Sequence, residues 1–463
     1  MPDETILLPI GFYLSLALCG VGMAVAMSQL KRGIGLPIMT VLATVVAWYF
    51  VDAIYNDYNQ YTLNIGADML DLAWGQVGLF VISFLFFAIF FHRWINKNLL
   101  REESYFMRLM NKGGVDEPSF QRRMDLSMGM LGAFWILLMA IAMWRTDFDF
   151  MGMFFPYISG KAYPWSRGRV GTGFDAVISL YGYLHVLLVS GSGVIWALSK
   201  NKKTRMTAAL VFLLSAPWFL LDRVRNLMLA TILPGLLAWV FVRFRGGLFL
   251  RVALLVGAFL VVDGWMRFVI QVRTEANVAY AFQQVGLTGV TEAIQGKEIK
   301  HAGLNMFEEL GWMNKFIEHG TFTPNSGSRY FAELVNPIPR VIWRDKPMIG
   351  IDYAIARGQK FGEAGDKGSA GVGATISTGM IGQGVVNFGR FFGPIAAALL
   401  MGIWAALLAR QDLMGDRTGR LLLFFFGIVL TFNLGRDITL ITLYPFVFGI
   451  IMMRVWGKVK GEQ

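Results

Sequence analysis

The chain has 463 residues, of which 55% are hydrophobic and 16% charged, and its mean hydropathy is +0.52. That balance excludes a soluble globular domain, which at this length has no use for so much apolar side chain. The formal charge of +11 reads as a topogenic signal and a contact with anionic lipid headgroups, and excludes nucleic acid as the partner of choice.

Eleven apolar runs follow one another, close to the roughly 20 residues needed to cross a bilayer core. They fall at about 6–28, 35–56, 74–92, 126–144, 175–198, 206–221, 226–242, 252–270, 380–409, 420–434 and 438–455. The first has an acidic flank, Asp3 and Glu4, and no small-residue cleavage signal, so it is expected to be a retained span rather than a signal peptide. The fold class expected is an all-α polytopic membrane protein. It divides into spans one to eight over 1–270, a large loop over 271–379, and spans nine to eleven with a tail over 380–463.

Lys and Arg set the orientation. With the N-terminus outside, the inner segments hold 22 of them, in 31–32, 93–125, 200–205, 243–251, 410–420 and 454–460. The short outer connections hold seven: Arg145, Lys161, Arg167, Arg169, Arg223, Arg225 and Arg436. The expected topology is therefore N-terminus out and C-terminus in.

Cys19 is the lone cysteine and lies in the first span, so no disulfide forms within one chain. A thiol held in lipid is also a poor nucleophile. The four histidines, at 92, 185, 301 and 319, show no i, i+4 pairing and no carboxylate at ligand spacing. No metal site and no cofactor are expected from them. His185, alone on an apolar span, is expected to bond between helices. The charged inner loop 93–125 is expected to be a solvated connection.

Two outer turns concentrate charge. One is Asp222-Arg-Val-Arg-Asn226 and the other Asn433-Leu-Gly-Arg-Asp437. Arginines on the face that topology disfavours either snorkel to headgroups and pair with Asp222, or clamp an anionic group with help from helix N-termini. Asp263 and Arg267, at i, i+4 within one span, are expected to form a structural ion pair, with lining of a polar cavity as the alternative.

The loop over 271–374 carries 11 basic and 11 acidic residues and no span-length apolar run. A connection that long is usually functional. Leu304, Phe307, Leu310, Met313 and Ile317 recur at helical spacing, which predicts an amphipathic helix over 302–319, lying on the membrane or capping the bundle. Next comes Asn336-Pro-Ile-Pro-Arg-Val-Ile-Trp-Arg-Asp-Lys-Pro347, with three prolines and four charges in twelve residues. Proline blocks helix propagation, so this is an extended segment whose Arg340, Arg344 and Lys346 could meet a phosphate. Glycine-rich chain at 368–384 follows, suited to a re-entrant or broken element beside a cavity.

The order of these features resembles the oligosaccharide repeat-unit polymerases, the O-antigen polymerase type of bacterial envelope protein. The likeness covers roughly 206–440: the turn Arg223-Val-Arg-Asn-Leu-Met-Leu, then Gly327-Ser-Arg-Tyr330 and Ile338-Pro-Arg-Val-Ile-Trp-Arg-Asp-Lys-Pro347, then Val386-Asn-Phe-Gly-Arg-Phe-Phe-Gly393, and Gly435-Arg-Asp437. The Pro-Arg-x-x-Trp-x-x-Lys-Pro string is the most specific of them. Where such polymerases often carry a glutamate shortly before Asn-x-Gly, this chain has Gly382 and Gln383.

The resemblance implies a C-type glycosyltransferase architecture and transfer between polyprenyl-diphosphate-linked oligosaccharides. The place would be the outer face of a bacterial cytoplasmic (inner) membrane, and the partners a flippase and a chain-length regulator. The donor is already activated, so the work is to neutralise a leaving diphosphate and position an acceptor hydroxyl, which arginine can do without a metal. Arg223, Arg225, Arg340 and Arg436 are the expected diphosphate ligands, with Arg329 and Arg344 behind them and Lys346 and Asn387 beside the substrate. Tyr330 and Trp343 either stack on sugars or pack under a proline turn. The general base is left among His301, Glu308, Asp345 and Asp437. A ligase-like glycan transferase, and a transporter or flippase of an anionic solute or lipid-linked glycan, are the alternatives.

Overall fold

The computed structural model describes residues 8–112, 114–154, 164–165, 175–220, 225–272, 305–335, 338, 342–343, 345–347, 351–358, 376–438 and 440–460. Every regular element among them is helical. Six helices are long and apolar enough to cross a bilayer: Ile10–Ser28, Gly35–Tyr55, Ala67–Ile95, Pro118–Arg145, Leu180–Leu198 and Gly379–Leu413. They coincide with six of the eleven expected runs and make this a multi-pass helical membrane protein. The other five runs fall on Lys202–Leu220, Arg225–Ala238 with the π-helical turn Trp239–Arg243, Leu248–Val272, Arg420–Arg436 and Leu440–Lys460. Over their described residues these fall short of spanning length or apolar character.

Contacts divide the chain into two units. One comprises Met1–Ser104, Lys300–Leu413 and Thr431–Thr442, the other Tyr105–Ile299, Met414–Leu430 and Leu443–Gln463.

In the first unit Ile10–Ser28 packs on Gly35–Tyr55 and on Ala67–Ile95, which in turn lies along Gly379–Leu413. The loop helix predicted over 302–319 is present as Met306–Glu318. It caps this bundle. Phe307, Leu310, Gly311, Met313 and Asn314 are all buried, and Phe307 stacks on Trp74 with ring centroids 4.1 Å apart. Burying an aromatic of that size is worth about 2–3 kcal/mol. Deeper along the helix, Asn314 and Gln76 exchange amide hydrogen bonds of 2.9 and 3.0 Å.

The single span expected over 380–409 needs correcting. Gly389 has φ 77° and ψ −175° inside Gly379–Leu413, so two helices meet there. In a straight helix Gly384 and Gly393 would stand about 13 Å apart. Instead a Cβ placed on Gly384 would lie 2.1 Å from the Gly393 carbonyl oxygen, so the chain doubles back and a short re-entrant helix rests on the start of a long one. Glycine is needed on both sides of that contact because the backbones touch. Pro394 has no N–H for the Arg390 carbonyl, and Gln76 Nε2 supplies the missing donor at 3.1 Å.

In the second unit Asp175–Leu198 packs against Pro118–Arg145, Lys202–Leu220 and Arg225–Ala238. His185 is buried, with Nε2 2.8 Å from Ser215 Oγ, and Trp135 Nε1 donates to the same hydroxyl at 3.1 Å. His185 therefore bonds between helices. The side chains of Asp263 and Arg267 lie outside the described residues.

Candidate functional site

The re-entrant helix organises a polar centre in the first unit. Its last carbonyls would be unpaired at the break. They are met by a tight turn in which Ser326 and Gly327 take φ of 52° and 88°. Asn325 N–H donates to the Val386 carbonyl at 3.0 Å and Gly327 N–H to that of Asn387 at 3.1 Å. Asn387 then accepts the Tyr330 N–H on Oδ1 at 3.1 Å. The turn thus starts the helix Ser328–Val335 against the end of the re-entrant one.

That start turns Arg329 inward, where it is only 5% exposed. Its Nη2 lies 3.5 Å from Asp437 Oδ1, while Nε and Nη1 are buried without a partner among the described residues. One helical turn on, Glu333 is 4% exposed and its Oε2 is likewise unpartnered, as are the Tyr330 hydroxyl and Thr378 Oγ1. So many buried polar atoms left open in one place are rare in a folded protein. They leave guanidinium donors and a carboxyl acceptor uncommitted to the protein around them.

Asp437 is held in place by the re-entrant helix. Gln383 accepts the Ile438 N–H on Oε1 at 2.7 Å and returns Nε2 to the Ile438 carbonyl at 3.1 Å, and Thr378 N–H donates to Asp437 Oδ1 at 3.4 Å. With both ends of its amide engaged, Gln383 orients its neighbour and takes no part as a base. Arg436 is exposed, with Nε donating to Ser377 Oγ at 2.9 Å.

Burial pushes the Glu333 carboxyl up to about 7, against the pull of Arg329 and with a further push from Asp437. Burial likewise raises Asp437, and Arg329 opposes it. The Tyr330 phenol is raised by burial as well. A carboxyl near neutrality beside a guanidinium can exchange a proton under working conditions.

A second buried carboxyl, Glu309, is already saturated. Tyr353 donates its hydroxyl to Oε2, and Arg357 Nη2 sits 3.1 Å from Oε1 while stacking 4.8 Å over Trp312. Burial raises this carboxyl and Arg357 opposes the shift. Its role is to tie Ile351–Ala356 to the loop helix.

Of the residues expected at the site, Arg329, Tyr330, Asn387 and Arg436 gather here, with Asp437 from the candidate bases. Asn387 serves as a clasp between two helices. Trp343 meets Phe331 edge to face at 6.2 Å and Tyr330 leans on Phe388 at 6.1 Å, so both rings have protein neighbours. Lys346 Nζ donates to the Ile338 carbonyl at 2.9 Å. Glu308 accepts from Trp312 Nε1 at 3.1 Å, and Asp345 is exposed. Arg223, His301, Arg340 and Arg344 lie outside the described residues, and so does the side chain of Arg225, which opens the helix Arg225–Ala238. Sequence reasoning missed Glu333. Its signal was the i, i+4 spacing from Arg329 on a short helix.

No family model, no curated protein and no solved structure matches this chain.

Proposed function

We propose that the protein polymerises polyprenyl-diphosphate-linked oligosaccharide repeat units into a cell-surface polysaccharide, at the outer face of a bacterial cytoplasmic membrane. The observation that carries the reading is the buried Arg329, with two unpartnered guanidinium nitrogens, one turn from the unpartnered Oε2 of Glu333. A glycosyl diphosphate needs that pair. Glu333 takes the proton of an acceptor hydroxyl, whose oxygen bonds to the anomeric carbon of the donor. The bond from that carbon to the diphosphate oxygen breaks, and the lipid diphosphate leaves with the electron pair. Arg329 and Arg436 meet the developing charge. Asp437 holds Arg329 in place.

The helical break at Gly389 favours a second reading, a carrier of an anionic solute or lipid-linked glycan, because discontinuous helices border substrate sites in transporters. Deleting the gene in its host and following the lipid-linked glycans separates these. The polymerase reading expects single repeat units on their carrier lipid at the outer leaflet and no polymer. Single units confined to the inner leaflet would sink it in favour of transport. Polymer made on the carrier but never handed on would sink it in favour of a ligase-like transferase.

A further inference from the structure

The second unit contains a cavity of about 300 Å³ lined by Trp196, Arg205, Trp239, Arg243, Phe244 and Arg245. That volume is at the small end for ligand sites. Local structure explains why these residues meet. Trp196 lies in the last turn of Asp175–Leu198 and Arg205 in the first turn of Lys202–Leu220. Trp239 and Arg243 begin and end the π-helical turn that closes the helix opened by Arg225.

The charges do not cancel. Arg243 reaches Asp116 at 3.1 Å, but Lys200 holds the same carboxylate at 2.7 Å, and those two cations keep it below the usual carboxylate range. Arg205 lies 5.4 Å over the Trp196 ring. Neither Arg205 nor Arg245 has an acidic partner among the described residues. Beside this basic cavity runs an apolar track: Met206, Leu210 and Leu213, at i, i+4 and i+7 on one helix, are 76%, 54% and 66% exposed.

We propose that this cavity binds the phosphate of an anionic phospholipid, with the acyl chains along Met206, Leu210 and Leu213. Tryptophan and arginine together at the ends of apolar helices suit the headgroup layer, and the Lys and Arg bias puts these ends on the cytoplasmic side. A free phosphate would find the same cations but would have no use for the apolar track.

The test is native mass spectrometry of the full chain released from bilayers of phosphatidylglycerol and phosphatidylcholine in equal amounts. Wild type is expected to retain phosphatidylglycerol preferentially, and inorganic phosphate at millimolar concentration is expected not to displace it. The double variant R205Q/R245Q should lose the preference by about thirtyfold, which corresponds to about 2 kcal/mol, at unchanged melting temperature in zwitterionic detergent. Equal retention of the two lipids by wild type overturns the proposal without reference to any variant. Displacement by phosphate would make this a soluble-anion site, and an undiminished preference in a folded double variant would remove the arginines from it.

Discussion

Asp52 Oδ2 accepts the backbone N–H of Phe307 at 2.8 Å, and that of Glu308 at 3.1 Å, across 255 positions of sequence. The helix Met306–Glu318 begins at Asn305, whose side chain caps nothing. The cap comes instead from Gly35–Tyr55, where Asp52 also accepts from Tyr61 at 3.0 Å and Asn56 at 2.6 Å. A carboxylate at a helix N-terminus satisfies orphan donors and meets the favourable end of the dipole. It fixes the loop helix to the bundle.

Replacing Asp52 by Ala leaves those buried donors without an acceptor, a loss of about 1–3 kcal/mol. Hydrogen exchange over 305–312 should accelerate in D52A while peptides of the second unit keep wild-type rates. Unchanged exchange there would show that the stacking of Phe307 on Trp74 suffices to hold the helix.

Glu333 titrates at about 7 in the folded chain, and as a base it must be ionised. Transfer should therefore decline as pH falls through about 7, and the acidic limb should vanish with the activity in E333Q. Stability moves the other way. A carboxyl raised from 4.5 to about 7 binds more protons folded than unfolded, so its contribution is largest below pH 4.5 and is lost as pH rises to 7. Thermal melts should show a steeper decline in wild type than in E333Q, where Asp437 and Glu309 still titrate.

Arginine to lysine at Arg329, Arg436, Arg223, Arg225 or Arg340 keeps the charge and removes the fork. Loss of one oriented donor at a developing charge commonly costs a factor of about 100–1000. Polymer length on a gel, read beside membrane abundance, is expected to drop for each variant at near-normal abundance. Full-length polymer from all of them refutes the clamp, leaving Arg329 as the buried partner of Asp437 and the others as contacts with headgroups.

The charge bias expects the loop outside. A reporter fused after Gly320 should be active only in the extracytoplasmic space, and activity in the cytoplasm would invert the topology together with the site.

Apolar runs announced the helices because spanning a bilayer demands length and greasiness together, and both are local. The loop helix was legible for the same reason: its buried face repeats at helical spacing. The break at Gly389 was not, since the apolar run over 380–409 continues on both sides of it; Asn387, Arg390 and Pro394, set among two glycines, were the punctuation. Arg329, Asn387 and Asp437 were visible as motif fragments. What joined them, the Gln383 amide on Ile438 and the turn at Ser326, depends on contacts between distant segments that no window of sequence contains. Asp52 was a lone carboxylate in an apolar run, a kind of residue that is rarely idle in a membrane protein.

The doubled-back segment leaves no slack in the chain. Each residue of a helix advances the phase by about 100°, and Asn387 and Gln383 must point at different partners at once. One residue inserted between Gly384 and Asn387 would swing the Asn387 amide off the Tyr330 N–H while Gln383 stayed on Ile438. Phe391 and Phe392, 61% and 66% exposed, can change side chain with little effect on that geometry. The stretch from Gln383 to Pro394 acts as a ruler, its marks set by a few residues and its length open to no change.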